Sequence, residues 1–146
     1  MSNDRPKPVS VGANLSPQRQ DELLFQEVMG NCDLGACQKL VAGGGEVDCE
    51  DDDGNTPLLW AVLSGKGEVV KLFLEKGADV NHKNHEGETA LHWAAMTRSL
   101  EVARLLLLRG ALVNAGDDFE VTPLRTALLN DDPAMVALLQ SSGGKE

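Results

Sequence analysis

The stretch DGNTPLLWAVLSGKGEVVKLFLEKGADVN, residues 53–81, recurs one unit later as EGETALHWAAMTRSLEVARLLLLRGALVN, residues 86–114. Three threonines keep this register with a constant step of 33 residues, namely Thr56, Thr89 and Thr122. Repetition at a fixed period of this length is typical of stacked supersecondary units, each of which buries the apolar face of its neighbour. The sequence therefore predicts a repeat architecture rather than one large globular core.

Three glycines repeat with the same step as the threonines, namely Gly44, Gly77 and Gly110. Two of them follow segments with helical apolar spacing, which we predict as helices over 68–76 and 100–109. Glycine directly after a helix commonly takes the left-handed conformation that ends it. Two independent residue types thus mark the same unit of two helices.

The motif resembles the ankyrin repeat, whose signature is T-P-L-H-x-A in a unit of 33 residues. The matching segments are TPLLWA at 56–61, TALHWA at 89–94 and TPLRTA at 122–127. The resemblance implies an all-α ankyrin-repeat solenoid of stacked helix-turn-helix units with β-turn fingers. We expect a disordered tail over 1–17 and a repeat domain over 18–146. Its units are expected at about 18–50, 51–83, 84–116 and 117–146.

The first unit lacks the threonine register, because Leu23 stands one period before Thr56. We predict a helix over Pro17–Met29 that is capped by Ser16, with proline at the first helical position. A second helix is expected near 33–41, with a polar outer face. Because only one neighbour covers a terminal unit, this pattern indicates an N-terminal cap.

The finger turn before each threonine carries the next signal. Gly54 and Gly87 stand where the turn needs a positive φ, and Thr56 and Thr89 are predicted to cap the following helices through their hydroxyls. Glu120 occupies the glycine position in the fourth unit. A left-handed conformation costs a residue with a side chain about 1–2 kcal/mol, so we expect a different turn shape there.

Composition limits the kind of function. The net charge of −10 argues against nucleic-acid binding, which needs cations that neutralise phosphate. No apolar run approaches the length of a membrane span, and no signal peptide is evident. Three cysteines without metal-ligand spacing favour a reducing compartment, so we expect a cytoplasmic or nuclear protein.

No motif for catalysis, metal binding or a cofactor stands out. The three histidines are His82, His85 and His92, and the first two lie on a loop without enough ligands for zinc. His92 fills the H of the signature, where the resemblance implies hydrogen bonds between neighbouring turns. The acidic run 46–53 lacks the glutamate that a calcium loop requires. We therefore predict no enzyme, no metal and no cofactor.

The resemblance places partner contacts on a concave face, formed by the finger turns and by the first helices, which act as a palm. The fingertip candidates are Asp52, Asp53, Asn55, His85, Glu86, Glu88, Phe119 and Val121. The palm candidates are Leu59, Leu63, Ser64, Met96, Thr97, Arg125, Leu129 and Asn130.

Four of the palm candidates are apolar, and Leu59 replaces the histidine of the signature. Together with Leu63, Met96 and Leu129 it is predicted to form an exposed apolar strip, although burial between helices is the alternative. Phe119 is expected to be either exposed or folded back over the last helices. The resemblance favours packing between repeats over partner contact for the equivalent residues Trp60 and Trp93.

The predicted function is that of a monomeric protein-interaction module acting as adaptor or regulator. Its partner is expected to be a protein with a basic and partly apolar surface, not nucleic acid or membrane. One alternative is a small ankyrin-type inhibitor of a kinase or transcription factor. Another is a structural piece that self-associates through an exposed end at Leu138 and Leu139, and a third is a substrate hydroxylated at Asn81 or Asn114.

Overall fold

The computed structural model describes residues 16–145, so the tail predicted over 1–17 lies outside the described residues up to residue 15. Eight α-helices account for the regular structure of the described part. In chain order they are α1 (Pro17–Met29), α2 (Leu34–Ala42), α3 (Pro57–Leu63), α4 (Gly67–Glu75), α5 (Ala90–Met96), α6 (Leu100–Leu108), α7 (Pro123–Leu129) and α8 (Pro133–Ser141).

The helices form four units of two, and the units stack side by side. Each odd-numbered helix packs against the even-numbered helix that follows it, because the connecting turn is only three or four residues long. The inner helices α1, α3, α5 and α7 contact one another in a row, and the outer helices α2, α4, α6 and α8 form a second row. The predicted all-α solenoid is thereby confirmed.

The core runs through all four units and is built mainly from aliphatic side chains. Phe73 is the largest fully buried side chain among the described residues. Ala61, Ala94 and Ala95 are fully buried on the inner helices, and their small size lets neighbouring helices approach closely. Burial of each larger apolar side chain stabilises the fold by about 1.5–3 kcal/mol. Stability is therefore shared between neighbouring units rather than held within one.

Side chains of the preceding residues cap four of the eight described helices, namely α1, α2, α7 and α8. Ser16 Oγ accepts a hydrogen bond from the Arg19 N–H at 3.2 Å, which confirms the predicted cap of α1. The predicted cap at Thr56 is wrong, because its hydroxyl is buried and has no hydrogen-bond partner among residues 16–145. The third helical position after Thr56 is Leu59, which offers no polar group, whereas His92 fills that position after Thr89.

Hydrogen bonds from asparagine side chains join the ends of the second and third units to the unit that follows. Gly77 and Gly110 both have φ of 91°, so the predicted left-handed helix ends are confirmed. Asn81 then spans the junction: its Nδ2 donates to the Gly110 carbonyl at 3.2 Å, and its Oδ1 accepts from the Leu112 N–H at 2.8 Å. Asn114 makes the same two kinds of bond one unit later. These side chains therefore fix the spacing of the units.

The last unit closes its own core. Leu139 is fully buried and Leu138 is half-buried, so the prediction of an exposed end at these two residues is wrong for Leu139 and only partly right for Leu138. The outward side of α8 instead presents smaller residues such as Ala134 and Ala137. Between residues 16 and 145 no helix has the length and apolar character that crossing a membrane requires.

Candidate functional site

Three finger turns of the same shape precede α3, α5 and α7, at residues 51–55, 84–88 and 117–121. The first residue of each turn folds its side chain back over the turn. Asp51 Oδ1 accepts from the N–H groups of Asp53 and Asn55, both at 2.9 Å. Asn84 and Asp117 repeat this pattern at 2.8–3.0 Å. Each finger is thus braced by hydrogen bonds from its own backbone to the side chain of its first residue.

The carboxylate of Asp51 also braces the helix that follows. Its Oδ2 accepts from the indole Nε1 of Trp60 at 3.0 Å. Burial opposes the charge on Asp51, yet the hydrogen bonds from Asn55, Trp60 and Asp53 together hold its pKa below the ordinary value. This carboxylate therefore stays ionised while it anchors both the turn and the tryptophan.

Adjacent fingers are joined along their backbones. The His85 N–H donates to the Asp53 carbonyl, and the Asp118 N–H donates to the Glu86 carbonyl, both at 3.0 Å. His82 adds a side-chain link, because its Nε2 lies 2.8 Å from the Gly54 carbonyl oxygen and 3.0 Å from a Glu50 carboxylate oxygen. Because both neighbouring oxygens are hydrogen-bond acceptors, His82 carries a proton on Nε2 and donates it to them.

The third finger turn contradicts the prediction of a different shape. Glu120 has φ of 60°, close to the 76° of Gly54 and the 77° of Gly87. Gly54 and Gly87 differ from Glu120 because a neighbouring finger packs against each of these two glycines. A Cβ on Gly54 would come within 2.6 Å of the His85 ring, and one on Gly87 within 2.8 Å of the Asp118 nitrogen. No further finger follows Glu120 within the described residues, so its side chain has room.

The fingertip candidates fall into three groups by exposure. Asp52, Asp53, His85, Glu86 and Phe119 are exposed, and Phe119 is 82% exposed rather than folded back. Glu88 and Val121 are half-buried. Whether these side chains contact a partner stays a prediction.

Asn55 is the exception among the fingertip candidates, because it is buried. Its Oδ1 accepts from Asn84 Nδ2 at 3.0 Å, which links the first finger to the second. Its own amide donates to Asp51 Oδ2 at 3.4 Å. Asn55 therefore holds neighbouring fingers together and is not a surface residue, so its prediction as a surface contact is corrected.

The palm contains an apolar row, but Leu59 is not part of it. Leu59 is only 1% exposed and belongs to the core, so the predicted strip is wrong at this residue. The equivalent residue of α5, His92, is also buried, because this helix position faces the neighbouring units. The alternative of burial between helices is correct for Leu59.

Each inner helix ends in an exposed apolar residue, and we call these four residues the inner ladder. Their exposed fractions are 58% for Met29, 41% for Leu63, 48% for Met96 and 72% for Leu129. Sequence reasoning missed Met29, because the first unit lacks the threonine register. The one available signal was its position just before Gly30, at the end of the predicted first helix.

Two of the polar palm candidates next to the inner ladder connect one inner helix to another. Ser64 Oγ donates to the Val28 carbonyl at 3.2 Å, and Asn130 Nδ2 donates to the Ala95 carbonyl at 3.3 Å. Thr97 Oγ1 donates within its own helix, to the Trp93 carbonyl at 2.8 Å. These side chains fix the helix ends that display the ladder. Arg125 is exposed on α7 without a comparable structural bond among those described.

The two tryptophans pack against each other between units two and three. Their ring centroids lie 6.0 Å apart at an interplanar angle of 89°, an edge-to-face arrangement that aromatic pairs favour. Trp93 Nε1 donates to Glu88 at 2.8 Å, as Trp60 does to Asp51. The interpretation of Trp60 and Trp93 as inter-repeat packing is confirmed.

His92 ties the second finger turn to the third. Its Nδ1 accepts from the Thr89 N–H at 3.0 Å, so the neutral ring carries its proton on Nε2. That nitrogen lies 2.8 Å from the Val121 carbonyl oxygen and donates to it. The predicted structural role of this histidine is confirmed.

The three cysteines are shielded from solvent to different degrees, with Cys32 and Cys37 buried and Cys49 half-buried. Burial raises the pKa of Cys37 and of Cys49 to about 12, so both are overwhelmingly thiols at neutral pH. Burial likewise raises the pKa of Cys32. Within the part of the chain that the structure describes, no three His, Cys, Asp or Glu side chains are grouped to hold a metal ion.

Similarity to known protein families agrees with the stack of two-helix units. A family model described as ankyrin repeats, in three copies, matches residues 24–117, which extend from the middle of α1 to the start of the third finger turn. No curated protein matches the chain significantly.

Proposed function

Because the chain belongs to the ankyrin repeat family, we propose that it is a non-catalytic adaptor or regulator that binds a protein partner through its concave face. Ankyrin repeats are generally protein–protein interaction modules, and stacked repeats offer extended concave surfaces for this purpose. The proposed partner has a basic and partly apolar surface. We further propose that the chain works as a monomer in the cytoplasm or nucleus, without nucleic-acid or membrane partners.

One observation carries the proposal: a polar, acidic edge and an apolar row lie at opposite ends of the same inner helices. The finger turns lead directly into α3 and α5, and the inner ladder residues Leu63 and Met96 end those helices. An exposed apolar row beside charged groups is a common property of contact surfaces. A single exposed apolar residue needs no explanation, but an exposed leucine or methionine at the end of each of the four inner helices does.

The finger turns supply the charge for this surface. Their carboxylates belong to Asp51, Asp52, Asp53, Glu86, Glu88, Asp117, Asp118 and Glu120. A concentration of negative charge speeds the approach of a basic partner and disfavours acidic competitors. Since exposed charges are screened, we expect the association rate to fall as ionic strength rises.

The proposed mechanism is passive binding to a preformed surface. Finger turns braced by Asp51, Asn84 and Asp117 lose little conformational freedom when a partner binds, so little of the interaction energy is spent on ordering them. Binding then masks the partner or tethers it to another protein. No group at this surface has to change its covalent bonds.

The test compares proteins retained from a lysate by three forms of the chain. The wild type is run beside the double variant Leu63→Glu with Met96→Glu, and beside Leu108→Glu. Leu108 is a matched control, because it ends the outer helix α6 and is 81% exposed. Circular dichroism first establishes that all three forms are equally helical.

We expect a partner that the wild type and Leu108→Glu retain and the double variant loses. Retention of the same partner by all three forms would exclude the palm as the binding surface. Retention of no protein by any form would contradict the interaction function itself and favour a purely structural role.

A further inference from the structure

The inner ladder has a spacing that an α-helical partner segment can match. Its four residues end helices that pack side by side, and packed helices lie about 8–10 Å apart. In an α-helix, residues seven apart lie on nearly the same face and are about 10.5 Å apart along the axis. A helix laid across the inner helices therefore presents one residue to each position of the ladder.

A β-strand does not match this spacing. Residues on the same face of a β-strand are two apart, so they recur at about 6.6 Å and then at about 13 Å. Neither distance equals the separation of neighbouring inner helices. If one residue of a strand contacts Leu63, the next residue on the same face falls short of Met96, and the one after that lies beyond Met96.

The room beside the ladder also suits a helix. The seven residues of α3, and likewise of α5, separate a finger turn from the ladder, which corresponds to about 10 Å along the helix axis. An α-helix with its side chains is about 10–12 Å wide. Such a helix would therefore contact the ladder with one face and approach the finger turns with its flank.

The side chains of the ladder are suited to an apolar stripe. Two of the four are methionines, Met29 and Met96, whose flexible thioethers adapt to differently shaped partners. On the finger side, the exposed carboxylates of Asp52, Asp53 and Glu86 favour cations. Charge complementarity therefore favours a partner helix whose basic flank faces the finger turns.

We propose that the concave face binds an amphipathic α-helix with an apolar residue at every seventh position and lysine or arginine along the flank that meets the finger turns. This inference rests on the proposed function and names the class of partner segment. Its apolar stripe meets Met29, Leu63, Met96 and Leu129, so the segment needs at least about 22 residues.

The test uses a synthetic helix of about 28 residues with leucine at every seventh position and lysines along one flank. One control peptide has the same composition with leucine at every fifth position, which spreads the leucines around the helix. A second has glutamate in place of lysine. Methionine methyl NMR of the full chain reports the contact, because Met29 and Met96 are exposed while Met135 in α8 is fully buried and serves as an internal reference.

We expect the first peptide to shift the Met29 and Met96 methyl signals and to leave the Met135 signal in place. Both control peptides should bind at least about tenfold more weakly, and Met96→Glu should weaken binding of the first peptide by a similar factor. Leu108→Glu should leave binding unchanged.

Equal binding of the seven-residue and five-residue peptides would overturn the proposal, as would a lack of binding by the first peptide. The proposed function is tested separately, by retention of a lysate protein that depends on Leu63 and Met96. A natural partner that binds without shifting the Met29 and Met96 signals would overturn the helix inference and leave the interaction function standing. Absence of any retained protein would contradict both.

Discussion

Replacing Gly87 by alanine tests whether contact between fingers, rather than backbone conformation alone, requires glycine. Two costs are expected. The left-handed conformation, with φ of 77°, costs alanine about 1–2 kcal/mol. The added Cβ also comes within 2.8 Å of the Asp118 nitrogen, so the fingers must separate. Separation weakens the bond from the Asp118 N–H to the Glu86 carbonyl, which contributes about 0.5–1.5 kcal/mol.

The expected loss for Gly87→Ala is therefore about 1.5–3.5 kcal/mol in the free energy of unfolding. Gly77→Ala is the matched control, because Gly77 has φ of 91° and no described residue lies within 4 Å of an added Cβ. Its loss is expected to be only the conformational cost, about 1–2 kcal/mol. The effect of alanine on the unfolded chain is the same in both variants and cancels in the comparison.

The assay is urea unfolding followed by circular dichroism, with the slope checked for constancy between variants. Glu120→Ala completes the set, since Glu120 already holds the left-handed conformation with no finger beyond it in the described residues. We expect that change to alter stability by less than about 0.5 kcal/mol. Equal losses for Gly87→Ala and Gly77→Ala would refute the reasoning that finger contact requires glycine.

Three further predictions concern burial and charge. Gln20 is fully buried and neither polar atom of its amide has a hydrogen-bond partner within the described part of the chain, so Gln20→Met should raise the free energy of unfolding by about 1–3 kcal/mol in urea unfolding. Leu139→Ala should destabilise the chain by about 2–5 kcal/mol, whereas Leu129→Ala should cost less than about 0.5 kcal/mol because Leu129 is exposed; equal midpoints would contradict this. The lowered pKa of Asp51 means that its stabilising charge is present at neutral pH and is lost as pH falls below about 4, through its folded-state pKa. The stability difference between wild type and Asp51→Asn should therefore shrink in that range, measured by thermal unfolding at several pH values.

The fold could be predicted because its determinants are local and repeated. Threonine and glycine at a step of 33 residues define each unit, and the apolar spacing between them defines its helices. The helix Pro17–Met29 was predictable even in the degenerate first unit, since Ser16 and Pro17 mark its start. Such signals depend on a few neighbouring residues and need no knowledge of tertiary contacts.

The errors arose where a side chain is decided by the neighbouring unit. At Glu120 the conformational preference alone predicted a changed turn, but glycine in the other fingers is also required by the finger that packs beside it. At Leu59 and Asn55 the repeat pattern indicated surface positions, whereas packing between units buries both residues. Met29 was missed because the first unit lacks the threonine register. Its equivalence to Leu63 becomes visible only when α1 is seen beside α3.

The contact between Trp60 and Trp93 gives the chain a built-in optical reporter of a single junction. The sequence has two tryptophans and no tyrosine, so excitation of tryptophan reads only the docking of unit two on unit three. Circular dichroism, in contrast, averages over all eight described helices. Coincident transitions by the two signals would mean that the stack melts as one body. A fluorescence midpoint above the dichroism midpoint would mean that the outer units fray first while the centre stays assembled.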